Sequence, residues 1–253
     1  MLFRSEIVEN LADVDFGEIL DYLAYDPATK GILMYIEGIR DARRFMSALR
    51  ATARIKPVVL VKVGRHEAGS KAVASHTGAL VGSDAVFDAL LRRAGVVRVS
   101  SITQLFASAQ ALSSHIRPTG DRLAIVTNGG GPGVMATDRA VDLGVKLAEL
   151  GPGTLDKLNA ALPATWSHGN PVDIIGDAAA DRYSAAMQAC LADEHVDGVL
   201  VMLTPQAMTR PTEAAEAVVA VARQSSKPVI ACWMGEAQVA EGRQRFKEAG
   251  IPI

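Results

Sequence analysis

Cysteine is scarce in this chain. Its 253 residues include two, Cys190 and Cys232. Two thiols cannot build a disulfide framework, and these lack the spacing of a metal site. Such sparing use fits a reduced cytoplasm. An excess of either charge sign is also missing: 26 basic residues face 28 acidic ones, a net charge of −2. That balance leaves no electrostatic footprint for nucleic acid or an anionic membrane. There is no run of ~18 apolar residues to span a bilayer. Residues 1–15 carry Arg4, Glu6, Glu9, Asp13 and Asp15, so they hold no apolar signal-peptide core. None of the five histidines sits in an H-E-x-x-H motif, and no G-x-S-x-G nucleophile elbow occurs. No metal site is expected.

What is present is ordinary globular material. The chain is 49% hydrophobic, with 22 glycines and 11 prolines, which excludes intrinsic disorder. The length suits one large domain or two of about 100–150 residues. Short apolar runs, mostly rich in Val and Ile, occur at Gly31–Ile36, Pro57–Val63, Arg122–Thr127, Gly198–Leu203 and Pro228–Trp233. Such runs read as strands of a parallel sheet buried on both faces. Helical periodicity fills the intervals, at about 16–25, 40–53, 83–94, 101–114, 132–143, 153–161, 180–192, 212–224 and 237–249. The alternation predicts an α/β fold with right-handed crossovers. Pro118 and Gly120 punctuate Arg117–Asp121 just before a new strand. The expected domains are therefore 1–117 and 118–253. Local echoes, such as Lys56-Pro57 with Lys227-Pro228, read either as a duplicated fold or, the preferred reading, as ordinary punctuation of such units. The chain opens on a helix without a preceding strand and stops where another strand is due. A piece of a longer protein is the expectation.

Four stretches could carry chemistry. Gly69–Ser83 (GSKAVASHTGALVGS) follows a strand, at the sheet edge where open α/β folds bind ligands. It is small, polar and glycine-rich, and it holds His76 between Ser75 and Thr77. An imidazole there can act as nucleophile, base or ligand, or be a plain solvated loop histidine. Thr127–Gly133 (TNGGGPG) ends a strand and opens a helix, with Pro132 early in that helix. Bare amides at a helix start make an anion cradle, and phosphate is the natural guest. The spacing is neither the dinucleotide fingerprint nor the P-loop, and a tight turn is the competing reading. Glu37 stands directly after a strand, on the same edge as the His76 loop. It could orient an imidazole, although capping the helix near Asp41 is the simpler role. Asn170 and Asp173, in Gly169–Asp173 (GNPVD), could touch ligand or serve structure.

Taken together, these residues resemble one family. Ser75-His76-Thr77-Gly78-Ala79-Leu80, then Gly82-Ser83-Asp84 and Arg93-Ala94-Gly95-Val96, resemble the phosphohistidine segment of NDP-forming acyl-CoA synthetases. That superfamily includes ADP-forming acetate–CoA ligase and succinyl-CoA synthetase. The likeness runs along nearly the whole chain, through Asp13–Pro27, Leu33–Phe45, the TNGGGPG loop and the NPVDI turn. Asp41–Phe45 and Trp166–Asp177 are most similar to long bacterial chains that fuse this module to a GNAT lysine acetyltransferase.

The resemblance implies two flavodoxin-like domains. It implies that His76 is transiently phosphorylated and that Glu37 orients it, reversing the capping preference. Asn128, Gly129, Gly130, Gly131 and Gly133, with Ser75, Thr77 and Gly78 beside the histidine, would hold the phosphoryl group. The histidine loop of one domain would meet the helix start of the other. The implied reaction converts acyl-CoA, phosphate and ADP into carboxylate, CoA and ATP. The CoA-binding Rossmann domain and the ATP-grasp domain that binds nucleotide with Mg²⁺ have no counterpart in these residues. They are the implied partners, with a GNAT domain where fused. This chain alone is expected to be inactive. The alternative is a non-catalytic module that senses acyl-CoA and controls an attached acetyltransferase. Broad apolar helices such as Ile102–Leu112 would also favour self-association into a homo-oligomer.

Overall fold

The Val- and Ile-rich runs form strands in the computed structural model, which describes residues 14–39, 41–66, 69, 83–113 and 118–253. The chain divides into two units, Met1–Ser113 and Ser114–Ile253.

In the first unit the order is α1 (Phe16–Tyr25), β1 (Ile32–Ile36), α2 (Ala42–Ala53), β2 (Val58–Lys62), α3 (Asp84–Ala94), β3 (Val97–Val99) and α4 (Ile102–Ser113). The sheet order is β1-β2-β3, all parallel. Central β2 is buried at all five residues. Its side chains alternate between two cores, as strand geometry requires. Val58 and Leu60 join Leu20, Ile36, Phe45, Leu49 and Leu91 on one face. Val59 and Val61 meet Leu105 of α4 on the other. α1 opens with a capping box: Asp15 accepts from the Glu18 N–H at 2.9 Å, and Glu18 accepts from the Asp15 N–H at 3.1 Å. α3 ends at Gly95, whose φ of 76° is left-handed. α4 leaves Ile102 and Phe106 exposed.

The second unit runs β4 (Arg122–Thr127), α5 (Gly130–Asp142), β5 (Lys146–Leu147), α6 (Pro152–Ala161), β6 (Val172–Asp173), α7 (Ala180–Ala192), β7 (Gly198–Leu203), α8 (Pro211–Ala222) and β8 (Val229–Trp233). A 3-10 turn (Ala237–Val239) and α9 (Ala240–Glu248) close it. All pairs are again parallel, in the order β5-β4-β7-β8. β4 carries β7 on one edge. Its other edge takes β5 at Arg122–Leu123 and β6 at Val126–Thr127. Between these short strands the Asn170 side chain stands in for backbone. Its Oδ1 accepts from the Ile125 N–H at 2.9 Å, and its Nδ2 donates to the carbonyls of Leu123 and Ala148 at 2.8 and 3.0 Å. The core packs β4, β7 and β8 against α6–α9, with Tyr183, Trp233 and Phe246 fully buried.

The α/β class with two parallel sheets flanked by helices is as the alternation predicts. Three details differ. The short strands β3, β5 and β6 carry too few residues for a periodic signal. The last α-helix starts at Ala240 rather than at residue 237, because Ala237–Val239 form a 3-10 turn. Burial on both faces holds for β2 and fails for β8, where Ile230 is 45% exposed.

Candidate functional site

In parallel sheets every strand delivers its carboxyl end to one edge, and loops there are placed for ligands. In the second unit that edge carries the loop after β4, the turn after β6 and the segment after β7. Thr127 shapes the first: its Oγ1 accepts from the Gly129 N–H at 3.0 Å and donates to the Gly129 carbonyl at 3.1 Å. Asn128 is buried, and its carboxamide clasps Thr204 main chain on both sides.

Helix α5 then starts at Gly130, with Gly129 as an N-cap that offers no side chain. Pro132 thus falls at the third helical position and contributes no N–H. The Gly133 N–H already bonds the Gly129 carbonyl at 3.1 Å. The amides of Gly130 and Gly131 take no acceptor among the described residues. Close approach explains two of the glycines. A Cβ on Gly129 would lie 2.7 Å from Thr204 Oγ1, and one on Gly133 would lie 2.9 Å from Thr127 Cγ2. Gly131 differs, because a Cβ there meets nothing within 4 Å. The space beside Gly131 is therefore open among the described residues, and the helix dipole makes a helix start favourable for an anion.

The turn after β6 reaches the same place. Asp173 Oδ1 accepts from the Ile175 N–H at 2.9 Å, and Oδ2 lies 3.0 Å from where a Gly130 Cβ would be. A carboxylate thus shares the positive pole of α5. Ile175 holds a φ of 71°, an unfavourable conformation for a β-branched residue. Arg182 braces this turn through the Ile174 carbonyl at 3.3 Å and Asp177 at 2.6 Å. Asn170 is different, since its carboxamide is engaged by main chain on three bonds, a structural duty. Sequence reasoning missed Thr204 and Arg182. The only hint for Thr204 was its position directly after a strand, and Arg182, in the first turn of α7, had none.

In the first unit Glu37 stands one residue past β1. Its Oε1 accepts from the Tyr35 hydroxyl at 3.4 Å. Burial, and then the Glu37 charge, push the Tyr35 hydroxyl above its ordinary range. The capping role weighed for Glu37 belongs to Asp41, which accepts from the Arg44 N–H at 2.9 Å. Lys62 ends neighbouring β2 on the same edge, in register with Ile36. His76, Ser75, Thr77 and Gly78 lie outside the described residues.

Other groups have other duties. Burial pushes the Cys190 thiol up to about 12, far from a reactive thiolate. His168 braces Asn159 and the Ala164 carbonyl, each at 3.0 Å. His195 contacts Asp193 at 3.1 Å. Among the described residues no group of three His, Cys, Asp or Glu could hold a metal ion. Among them, too, no helix is long and apolar enough to cross a membrane.

Comparison with known proteins gives this geometry a context. Residues 8–112 match the succinyl-CoA ligase like flavodoxin domain, and residues 123–253 match the Ligase-CoA domain. Acetate–CoA ligase [ADP-forming] I of Archaeoglobus fulgidus is 44% identical over 96% of this chain and 34% of its own length. The α subunit of acetate–CoA ligase [ADP-forming] I of Pyrococcus furiosus is 38% identical over 97% of this chain and 53% of its own. A solved structure of the dinucleotide forming acetyl-coenzyme A synthetase 1 of Ca. Korarchaeum cryptofilum, in complex with phosphate and ADP, superposes with a TM-score of 0.88. It is 34% identical and covers 96% of this chain and 53% of that one. The chain thus spans between about a third and about half of the relatives it matches. Its two flavodoxin-like units make it part of an α-subunit-like module, and the chain belongs to the ADP-forming acetyl-CoA synthetase family.

Proposed function

We propose that this chain is the phosphoryl-carrying part of an ADP-forming acyl-CoA synthetase, with acetyl as the acyl group. Phosphate oxygen attacks the thioester carbonyl, and the CoA thiolate leaves. A neutral ring nitrogen of His76 then attacks phosphorus of the acyl phosphate, and the carboxylate departs. ADP finally takes the phosphoryl group from phospho-His76, giving ATP. Histidine suits the relay because its P–N bond remains labile enough to pass the group on. Glu37 orients the ring and steadies its positive charge. In the loop Asn128–Gly133 the Gly130 and Gly131 amides receive phosphoryl oxygens, while Asn128, Gly129 and Gly133 shape the loop. Ser75, Thr77 and Gly78 serve at the histidine. Such a loose transition state needs mainly positioning and charge stabilisation. CoA is bound by a Rossmann domain and ADP, with Mg²⁺, by an ATP-grasp domain. The work is done in the cytoplasm.

The loop Asn128–Gly133 carries this reading: at the start of α5 the amides of Gly130 and Gly131 have no acceptor among the described residues, and the space beside Gly131 is open. Support also comes from identity to proteins named acetate–CoA ligases over 96–97% of this chain. The test is His76→Asn in the complete enzyme. Turnover is expected to fall by more than about 1000-fold. Unchanged turnover would overturn the proposal. An intact His76→Asn enzyme that still alters the acyl-CoA response of a fused acetyltransferase would favour the sensing module instead.

A further inference from the structure

Helix α2 carries three arginines and no carboxylate, and Arg54 follows as its C-cap. One of the three is accounted for within the first unit: Arg44 donates to Glu18 at 2.9 Å and lies 3.6 Å from Asp15. Arg43, Arg50 and Arg54 are exposed and form no ion pair among the described residues. Positions i, i+7 and i+11 share one face of a helix. At 1.5 Å per residue they make a row about 16 Å long. The row borders a groove of about 570 Å³ that Met46, Ala51 and Leu90 of α3 also line. No carboxylate lines it.

Stability of the first unit does not account for this row. The helix dipole favours Arg50 and Arg54 at the carboxyl end and disfavours Arg43 in the first turn. Arg50 and Arg54 also repel each other at i, i+4. Arginines around an apolar centre are instead the make-up of a protein interface. A small-ligand site gathers a few polar groups on one point of an enclosed cavity. Here the guanidiniums are spread along an exposed helix.

We propose that this groove docks an acidic polypeptide segment from the part of the synthetase outside these 253 residues. The chain spans 34% of one relative and 53% of another, which leaves ample length to supply such a segment. Each guanidinium presents a fork that matches a carboxylate with two hydrogen bonds. On a docked helix, carboxylates two turns and then one turn apart meet the row, and an apolar residue between them reaches Met46 and Leu90. The inference is independent of the role of His76.

The test puts the photo-crosslinker p-benzoylphenylalanine in place of Ser47, which is exposed and one turn after Arg43. The purified complete synthetase is irradiated, and the joined peptides are identified by mass spectrometry. The expected product links position 47 to one Asp- and Glu-rich segment outside residues 1–253. Arg43→Gln, Arg50→Gln and Arg54→Gln together should lower its yield by about 10-fold, the sum of three exposed ion pairs. The three corresponding Lys changes should keep most of it, and high salt should lower it in the wild type. Should the Gln variant fail to fold, the salt dependence of the wild-type product decides in its place. No product outside residues 1–253, a joined segment without net negative charge, or a yield indifferent to salt and to the Gln changes overturns the proposal. So does calorimetric binding of ADP or CoA that competes with the cross-link and is lost with the same Gln changes, which would assign the groove to a phosphate compound.

Discussion

Asn128 and Thr204 hold each other through two hydrogen bonds. The Asn128 Oδ1 accepts from the Thr204 N–H at 2.7 Å, and its Nδ2 donates to the Thr204 carbonyl at 2.9 Å. The loop after β4 and the segment after β7 are thereby locked at one edge of the sheet. Asn128→Ala would leave two main-chain groups of Thr204 without partners. Each such orphan costs about 1–3 kcal/mol, so a loss of about 2–6 kcal/mol is predicted. Urea unfolding measures it, and faster hydrogen exchange at the Thr204 amide should accompany it.

The glycines of this loop should separate into two kinds. Gly129→Ala and Gly133→Ala force a Cβ to within 2.7 Å of Thr204 Oγ1 and 2.9 Å of Thr127 Cγ2. Asn128 holds the Thr204 main chain, so the strain at Gly129 falls on the Thr204 side chain. Overpacking of this kind costs about 1–3 kcal/mol. Gly131→Ala meets nothing and sits in a helix, so it should raise stability by about 0.5–1 kcal/mol. It also fills the open space there, and turnover of the complete enzyme should drop. Stability and kinetics of all three variants check the split. A Gly131→Ala enzyme with full turnover would count against the anion cradle.

The parallel α/β pattern was legible because Val- and Ile-rich runs alternate with long helical stretches. The loop Thr127–Gly133 was legible because glycine, proline and a strand end coincide. Glu37 was placed correctly at a strand end, but its sequence neighbourhood suggested a cap that Asp41 supplies. The short strands were not legible: two residues, as in β5 and β6, generate no period. Nor was the use of Asn170, since nothing local marks a side chain that bonds to β4 from 45 residues away. Lys62 read as part of an apolar strand, and its burial beside Asp84 is a tertiary fact.

Asn170 provides a further prediction. Its carboxamide satisfies two β4 groups and the Ala148 carbonyl. Asn170→Ala should cost about 2–3 kcal/mol. Asn170→Asp should be no better, because an oxygen replaces the donor that faces two carbonyls. If Asn170 serves structure, turnover per folded molecule stays at wild-type level in both variants. Specific loss of turnover with an unchanged Tm would make it a ligand contact.

Acid should destabilise the second unit through identifiable carboxylates. Arg122 donates to Asp197 from its guanidinium and from its backbone N–H, and holds that carboxyl well below the usual range. Burial pushes Asp193 up, but the backbone N–H groups of His195 and Gly151 outweigh it, and the net shift is down. A lowered folded-state pKa gives stability that is present above the unfolded value, about 3.9, and is lost as pH falls through the folded one. Tm should therefore not respond to these groups above about pH 5 and should decline below about pH 4. Asp197→Asn should lower Tm at pH 7 and flatten the acid limb. Equal acid slopes in wild type and variant would contradict the assignment.

The most direct test of the account is phosphate on His76. The complete enzyme is incubated with Mg-ATP, without acyl substrate, and its peptides are analysed by mass spectrometry. The account predicts acid-labile, base-stable phosphate on His76, lost in His76→Asn and reduced in Glu37→Gln. An active enzyme with no phosphate on His76 under these conditions would contradict it.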